Sequence, residues 1–233
     1  MNEPFFRFPH TPHLAWLGTG EPRDDKLLSP READELLAGE VVVEEKLDGA
    51  NLGISLAADG GLRVQNRGEY LRPPYAGQFS RLTAWLQAHA AVLRGALTPG
   101  FIVFGEWCAA RHSLGYTALP DWWLAFDMYE HATGRFWCCE RRNAWAAAIG
   151  VPTVPELGRG HHTRAQLEHL IDAGRSRYRD GPMEGVVIRK QDSQHLIARA
   201  KLVRPDFTQA IDQHWRRRGM QWNRCMASPG DRC

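Results

Sequence analysis

The chain has 233 residues, 43% hydrophobic and 24% charged, with a net charge of only +2. Such a chain can bury a sizeable core, and the balance excludes both a disordered protein and a molecule-wide cationic field built for nucleic acid. No apolar run reaches membrane-spanning length, and MNEPFFRFPHTPH lacks the basic-then-apolar layout of a signal peptide, so the expectation is a cytoplasmic protein without a membrane partner. Cys108, Cys138, Cys139, Cys225 and Cys233 are odd in number and irregularly spaced, which fits a reducing compartment better than a disulfide framework. His161-His162 has no metal-ligand spacing around it, so zinc is not expected.

In chain order, Ser29-Pro30-Arg31-Glu32 predicts a helix start, with Ser29 as N-cap, proline at the first helical position and Glu32 closing a capping box; Gly39 ends it. VVVEEKLDG predicts a buried strand running into a turn, NLGISL a second strand and LRVQNRGEYL a third. Phe79, Leu82, Leu86 and Leu93 share one face of an amphipathic helix between Gln78 and Leu97. FIVFGEW and WWLAFDMYE are short apolar strands, and a helix from Glu140 to Ile149 stops at Gly150. Thr163-x-x-Gln166 opens another capped helix that ends near Gly174. GVVIRK and LIARAKLVR are strands, and Phe207, Ile211 and Trp215 mark a final helix. Strands come in groups without regular β-α alternation, which predicts an α+β fold with mostly antiparallel sheets flanked by helices. The absence of repeats and low-complexity linkers predicts one domain over 1–233, with 205–233 a short basic C-terminal helix and tail carrying Arg216-Arg217-Arg218 and Arg224.

Neither a P-loop nor a Rossmann glycine turn is present, and no G-x-S-x-G or thiol-protease layout appears. The positive signal is Lys46. A lysine at the end of a valine strand is partly desolvated, which lowers its pKa toward a nucleophilic amine, and a nearby metal ion would lower it further. Asp48 two residues on could steady such an ion, although a carboxylate alone raises the amine. Gly49 permits a tight turn. By itself, K-x-D-G reads more readily as a structural turn than as a reactive motif.

Further along stand Asn66-Arg67, Phe104-Gly105-Glu106, Phe126-Asp127, Glu184-Gly185-Val186-Val187-Ile188-Arg189 and Arg199-Ala200-Lys201-Leu202-Val203-Arg204. In this order the segments resemble the signature set of covalent nucleotidyltransferases, the superfamily of ATP-dependent RNA and DNA ligases and capping enzymes. EKLDGAN is similar to their nucleophile motif, FGEW to the third, AFDMYE to the segment after it, EGVVIR to the fourth and RAKLVR to the fifth. Asn51, the Phe126-Asp127 pair and the N-terminal FPHTPHL bring the chain nearest to the RNA ligases.

The resemblance implies an ATP-grasp-like ligase adenylation domain in which Lys46 attacks ATP to give a lysyl-AMP. Lys201 and Arg199 would neutralise the α-phosphate, and Asp48, Glu106 and Glu184 would surround Mg²⁺ or Mn²⁺ through its waters. Phe126 would stack on adenine, the backbone at Glu45 would read its exocyclic amine, and Asn51 would line the nucleotide site. Arg67 would meet the 5′-phosphate of the strand or the ribose, and Glu106 is alternatively a ribose ligand. The implied partner is RNA with 5′-phosphate and 3′-hydroxyl ends, an RNA/DNA duplex and an end-processing kinase or phosphatase being compatible with the same chemistry. No separate OB-fold domain is expected. Arg199 departs from the usual lysine of the fifth motif, a swap that keeps charge but adds bulk and a forked geometry. A minimal DNA ligase, a GTP-using transferase, and a nucleotide- or RNA-binding module that keeps the fold stay open as alternatives.

Overall fold

A computed structural model describes residues 4–19, 27–210 and 220–226. Two antiparallel sheets make up its framework. The smaller has the strand order β10-β9-β1-β8, built from β1 (Val41–Lys46), β8 (Glu156–Gly160), β9 (Gly185–Gln191) and β10 (Leu196–Val203). The larger runs β4-β3-β2-β5-β6-β7, from β2 (Ala50–Leu56), β3 (Leu62–Gln65), β4 (Tyr70–Leu71), β5 (Phe101–Trp107), β6 (Trp123–Glu130) and β7 (Arg135–Phe136). Among the described residues five α-helices complete it: α1 (Pro30–Leu37), α2 (Leu82–Ala96), α3 (Cys139–Ala148), α4 (Arg164–Ala173) and α5 (Pro205–Ala210). The α+β, antiparallel expectation holds.

Side-chain alternation assigns the faces. In the small sheet, Val41 and Val43 join Val186, Ile188, Ala200 and Leu202 against Leu36 of α1 and Leu167 and Ile171 of α4. Glu44 and Lys46 therefore point to the opposite face, toward the large sheet. In the large sheet, Leu52, Ile54, Val103 and Trp107 pack with Leu82, Trp85 and Leu93 of α2 and Ala146 of α3. Its other face carries Ile102 and Phe104, covered by the N-terminal Phe6 and Phe8.

The capping boxes at Ser29/Glu32 and Thr163/Gln166 are both formed. LRVQNRGEYL is a hairpin rather than one strand, because the Asn66 side chain accepts from the N–H groups of Gly68 and Glu69 and turns the chain back. The helix expected from Gln78 begins as a 3₁₀ turn, Gly77–Phe79, followed by α2. Glu156–Gly160 is a strand that sequence reading missed. Its glycines and charges carry no strand signal, and pairing with β1 decides it. The final helix is described over Pro205–Ala210; Ile211, Trp215 and Arg216-Arg217-Arg218 lie outside the described residues. Residues 220–226 instead run extended against 108–119. Among the described residues no helix is long and apolar enough to cross a membrane.

Candidate active site

The segment KLDGA spans the gap between the two sheets. Lys46 is the last residue of β1, Ala50 the first of β2, and Leu47-Asp48-Gly49 turn between them. The crossing is tight. A Cβ on Gly49 would stand 2.6 Å from the Trp107 carbonyl oxygen and 3.0 Å from Glu106 Cγ. That close approach lets the Gly49 N–H donate to Glu106 Oε1 at 3.0 Å. Gly185, opposite Lys46 in the ladder, plays a matching part: a Cβ there would meet the Leu202 carbonyl, so the glycine lets β10 lie close.

The Lys46 ammonium donates to both oxygens of Glu184 at 2.7 Å. Its side chain is 25% exposed, at the edge of a cavity of about 520 Å³ between the sheets, within the size range of small-ligand sites. Asp48 Oδ2 accepts from the N–H groups of Ser113 (2.7 Å) and Leu114 (2.6 Å), and the Asp48 N–H donates to the Tyr116 hydroxyl at 2.8 Å. Burial pushes the Lys46 amine down, but the Glu184, Glu106 and Asp48 carboxylates outweigh it and hold the amine above its ordinary value. Burial lifts both Glu106 and Glu184 to about 7 against the pull of Lys46. The resting site is thus a charged lysine among carboxylates that ionise with difficulty.

The remaining sequence-predicted residues come to the same cavity. Asn51 of β2 sits opposite Glu106 in the ladder, and its buried Oδ1 has no hydrogen-bond partner among the described residues. Arg67, after β3, places Nη1 3.4 Å from His10 Nδ1, while its buried Nε has no partner. Phe126, half-buried on β6, meets Phe8 edge-to-face at 5.4 Å. The Glu45 N–H is spent on the Pro155 carbonyl, and its side chain accepts from the Arg177 N–H at 2.9 Å, so its main chain can offer only an acceptor to a ligand. Lys201 and Arg199, two apart on β10, share the cavity face. The Lys201 backbone is gripped by the N-terminal segment, donating to the Pro12 carbonyl and accepting from the Leu14 N–H.

Arg199 was expected at the α-phosphate. Its guanidinium is paired with Asp127 and sandwiched by Phe8 at 4.4 Å and Phe136 at 4.6 Å. The pairing belongs to a buried network that sequence reading missed. Asp127 also accepts from Arg189 at 2.5 Å; Arg189 lies 3.6 Å from Glu44; Glu44 accepts from Arg142 at 2.5 Å. Arg142 also donates to the Phe126 carbonyl at 2.5 Å, tying α3 to the strand beneath the cavity. Asp127 is held below its ordinary value by Arg189 and Arg199, which overcome the effect of its burial. Three guanidinium groups against two carboxylates leave an excess positive charge in this wall, suited to an anionic ligand. Arg142 on its helix carried no signal, since Glu140-Arg141-Arg142 together read as a solvated face.

The carboxylates Asp48, Glu106 and Glu184 are the right donors for a hard divalent cation. Among the described residues, however, no three His, Cys, Asp or Glu side chains converge as a direct metal cage. Asp48 is spent on two amides and Glu184 on Lys46, so the fit is to a hydrated ion held through its waters. The orphaned Asn51 Oδ1 and Arg67 Nε are polar atoms that a nucleotide's hydroxyls and phosphates would satisfy.

A family model described as RNA ligase matches residues 39–203, from just before β1 to the end of β10. No curated protein matches the sequence. Among solved structures, an apo variant of the Naegleria gruberi RNA ligase superposes with a TM-score of 0.64 at 16% identity, covering 89% of this chain and 58% of that one. A second variant of that enzyme, solved with ATP and Mn, gives 0.65 at 16% identity, with coverages of 89% and 59%. An archaeal ATP-dependent RNA ligase gives 0.58 at 23% identity, with coverages of 85% and 48%. The chain therefore spans less than two thirds of the length of each, and likeness at this identity concerns the fold. The family match covers most of the chain, every strand of the small sheet and the lysine at its centre, and on that ground the chain belongs to the RNA ligase family.

Proposed function

We propose that this chain is the adenylyltransferase domain of an ATP-dependent RNA ligase that joins 5′-phosphate and 3′-hydroxyl ends. The carrying observation is Lys46, bonded to Glu184 at a cavity walled by Glu106, Lys201 and the Arg189–Arg199 excess charge. In the first step the deprotonated Lys46 amine attacks the α-phosphorus of ATP. An N–P bond forms, the P–O bond to the leaving group breaks, and pyrophosphate departs with the electron pair. In the second, an oxygen of the RNA 5′-phosphate attacks that phosphorus and the N–P bond breaks, so the adenylyl group moves to the RNA end and the amine recovers a proton. In the third, the 3′-hydroxyl attacks the 5′-phosphate, its proton passes to solvent, and AMP leaves.

Lys201 supplies charge where the α-phosphate becomes more negative, the contribution that usually dominates such reactions. Arg199, anchored on Asp127, adds field from the wall. Phe126 offers its ring to adenine, and the Glu45 main chain accepts from its amine. Asn51 and Arg67 meet the ribose and strand phosphates, and Glu106 meets either ribose or metal-bound water. Mg²⁺ or Mn²⁺, held by Asp48, Glu106 and Glu184 through water, would favour the neutral amine and offset phosphate charge. Cys108, Cys138 and Cys139 are free thiols, which supports a reducing, cytoplasmic setting; RNA repair beside an end-preparing kinase or phosphatase fits this activity.

Incubation with ATP labelled at the α-phosphate and with Mg²⁺ or Mn²⁺ should label the wild type and leave Lys46→Ala unlabelled. Equal labelling of both overturns the mechanism, and tight ATP binding without an adduct favours a binding module. A panel of 5′-phosphorylated RNA and DNA strands should show RNA joined in preference; exclusive joining of DNA overturns the acceptor.

A further inference from the structure

Asp48 is held by three groups, the N–H groups of Ser113 and Leu114 and the Tyr116 hydroxyl, all from the connection between β5 and β6. That connection belongs to neither sheet; burial of Leu114, Tyr116 and Leu119 and the Tyr178 carbonyl, which accepts from Thr117 and Ala118, hold part of it, and the rest of its pairing comes from elsewhere in the chain. The geometry points to residues 220–226, and Asn223 above all, as a positioning element that sets this loop and through it Asp48. The inference rests on the reading of Lys46 and Asp48 as an adenylyltransfer centre.

Residues 220–226 lie between the two limbs of the loop as a central strand would. Trp222 pairs antiparallel with Ala110, and Cys225 pairs parallel with Leu119. On one limb the Asn223 N–H donates to the Ala109 carbonyl at 3.0 Å, and the Arg111 N–H to Gln221 at 2.8 Å. On the other, the Arg224 N–H donates to Tyr116 at 2.9 Å, Leu119 to Arg224 at 3.1 Å and Met226 to Leu119 at 2.8 Å. The Asn223 side chain, 3% exposed, joins both limbs: Oδ1 accepts from the Tyr116 N–H at 2.8 Å, and Nδ2 donates to the carbonyls of Cys108 (2.8 Å) and Ala110 (3.3 Å). One N–H and two carbonyls around one amide fix its orientation. Aspartate keeps the acceptor and loses both donors; alanine loses all three bonds.

Trp222 is pinned in turn, its ring 4.3 Å from the Arg81 guanidinium, which lies 5.1 Å from Trp122 on the far side. Residues 220–226 lie beyond the span of the family match, 39–203, so the family pattern does not assign them a part. Asn223 does not line the cavity, and its side-chain bonds go to Tyr116, Cys108 and Ala110 rather than to Lys46. It acts through the Tyr116 main chain on the loop whose amides aim Asp48.

The test uses the full chain with Asn223→Ala and Asn223→Asp. Leu167→Ala, a cavity in the core behind the small sheet, serves as a control for general destabilisation. At a temperature where every protein is folded, both Asn223 variants should lose about tenfold or more in the rate of self-adenylylation at saturating ATP, since small displacements of a reacting group carry penalties of that order. The amide hydrogens of Ser113 and Leu114 should exchange faster by about tenfold, while those of β5 and β6 stay protected. Leu167→Ala should change neither. Wild-type exchange at Ser113 and Leu114 in Asn223→Ala overturns the proposal, as does an equal loss of rate in Leu167→Ala. If the wild type takes no label from ATP, the functional reading fails, and amide exchange still decides whether Asn223 sets the loop.

Discussion

Lys46 and Glu184 stand 138 residues apart in sequence and share two hydrogen bonds of 2.7 Å, so the amine and carboxylate form one charged pair before any ligand arrives. The pair stabilises the protonated amine, the form that cannot attack phosphorus. The proposed self-adenylylation therefore requires that this proton leave, so the arrangement is that of a resting state.

Lys46→Arg separates charge from nucleophilicity. A guanidinium keeps a cation facing Glu184 but does not deprotonate in a protein. The variant should melt close to wild type and take up no label from α-labelled ATP. It should still join RNA supplied with a pre-adenylylated 5′-end, because that step needs no lysyl-AMP. Measurable label on Lys46→Arg would count against Lys46 as the attacking group.

The pH dependence of stability follows from the two raised carboxylates. Between the ordinary value of 4.5 and the folded value of about 7, folded Glu106 and Glu184 hold protons that the unfolded chain has released. Stability conferred by these groups is present below about pH 4.5 and declines as pH rises through about 7. Asp127, held below its ordinary 3.8, has the opposite sign and acts only at lower pH. Urea unfolding of the metal-free protein at a series of pH values should show Glu106→Gln gaining on wild type as pH rises from about 5 to about 8. A constant difference between the two proteins would contradict the raised value for Glu106.

Gly49→Ala tests the crossing between the sheets. The new methyl would stand 2.6 Å from the Trp107 carbonyl oxygen, a backbone atom in the middle of the large sheet. Relief requires the turn to move, costing about 1–3 kcal/mol. The urea midpoint should fall accordingly, and self-adenylylation should fall further than stability alone explains, because Asp48 and Glu106 move with the turn. An unchanged midpoint would show that the turn accommodates a side chain.

Arg142 and Glu44 are each 1% exposed, and losing one strands the other. Arg142→Leu leaves Glu44 with Arg189 at 3.6 Å as its remaining cation and should cost about 3–5 kcal/mol. Adding Glu44→Leu should recover part of that loss, giving a coupling of about 1 kcal/mol or more in a double-mutant cycle from urea unfolding. Additive losses would mean the pair is not energetically linked.

The residues proposed to react were legible in sequence because their types are constrained where they stand. A lysine after three valines, a glycine at the crossing and carboxylates at strand ends are each unusual, and the resemblance gave them a common setting. The residues that support them were not legible. Arg142 lies on a helix whose pattern gives no sign of burial, and the loop amides around Asp48 have no side-chain signature at all. Asn223 fell in a stretch read as basic tail, since its bonds go to main-chain atoms more than a hundred positions away. Strand β8 was lost for a similar reason: ELGRG becomes a strand because β1 offers it an edge.

The strand order β10-β9-β1-β8 has a consequence for synthesis of the chain. Both neighbours of β1 are made long after it, so Lys46 leaves the ribosome with its strand unpaired and its carboxylate partner not yet translated. Non-local pairing of this kind is slow to form and cannot begin early. A nascent chain stopped before Glu184 holds Lys46, Asp48 and Glu106 but lacks β9 and β10, and with them Glu184, Arg189, Arg199 and Lys201. Under the proposed function, competence to react with a nucleotide would arrive only with these last two strands.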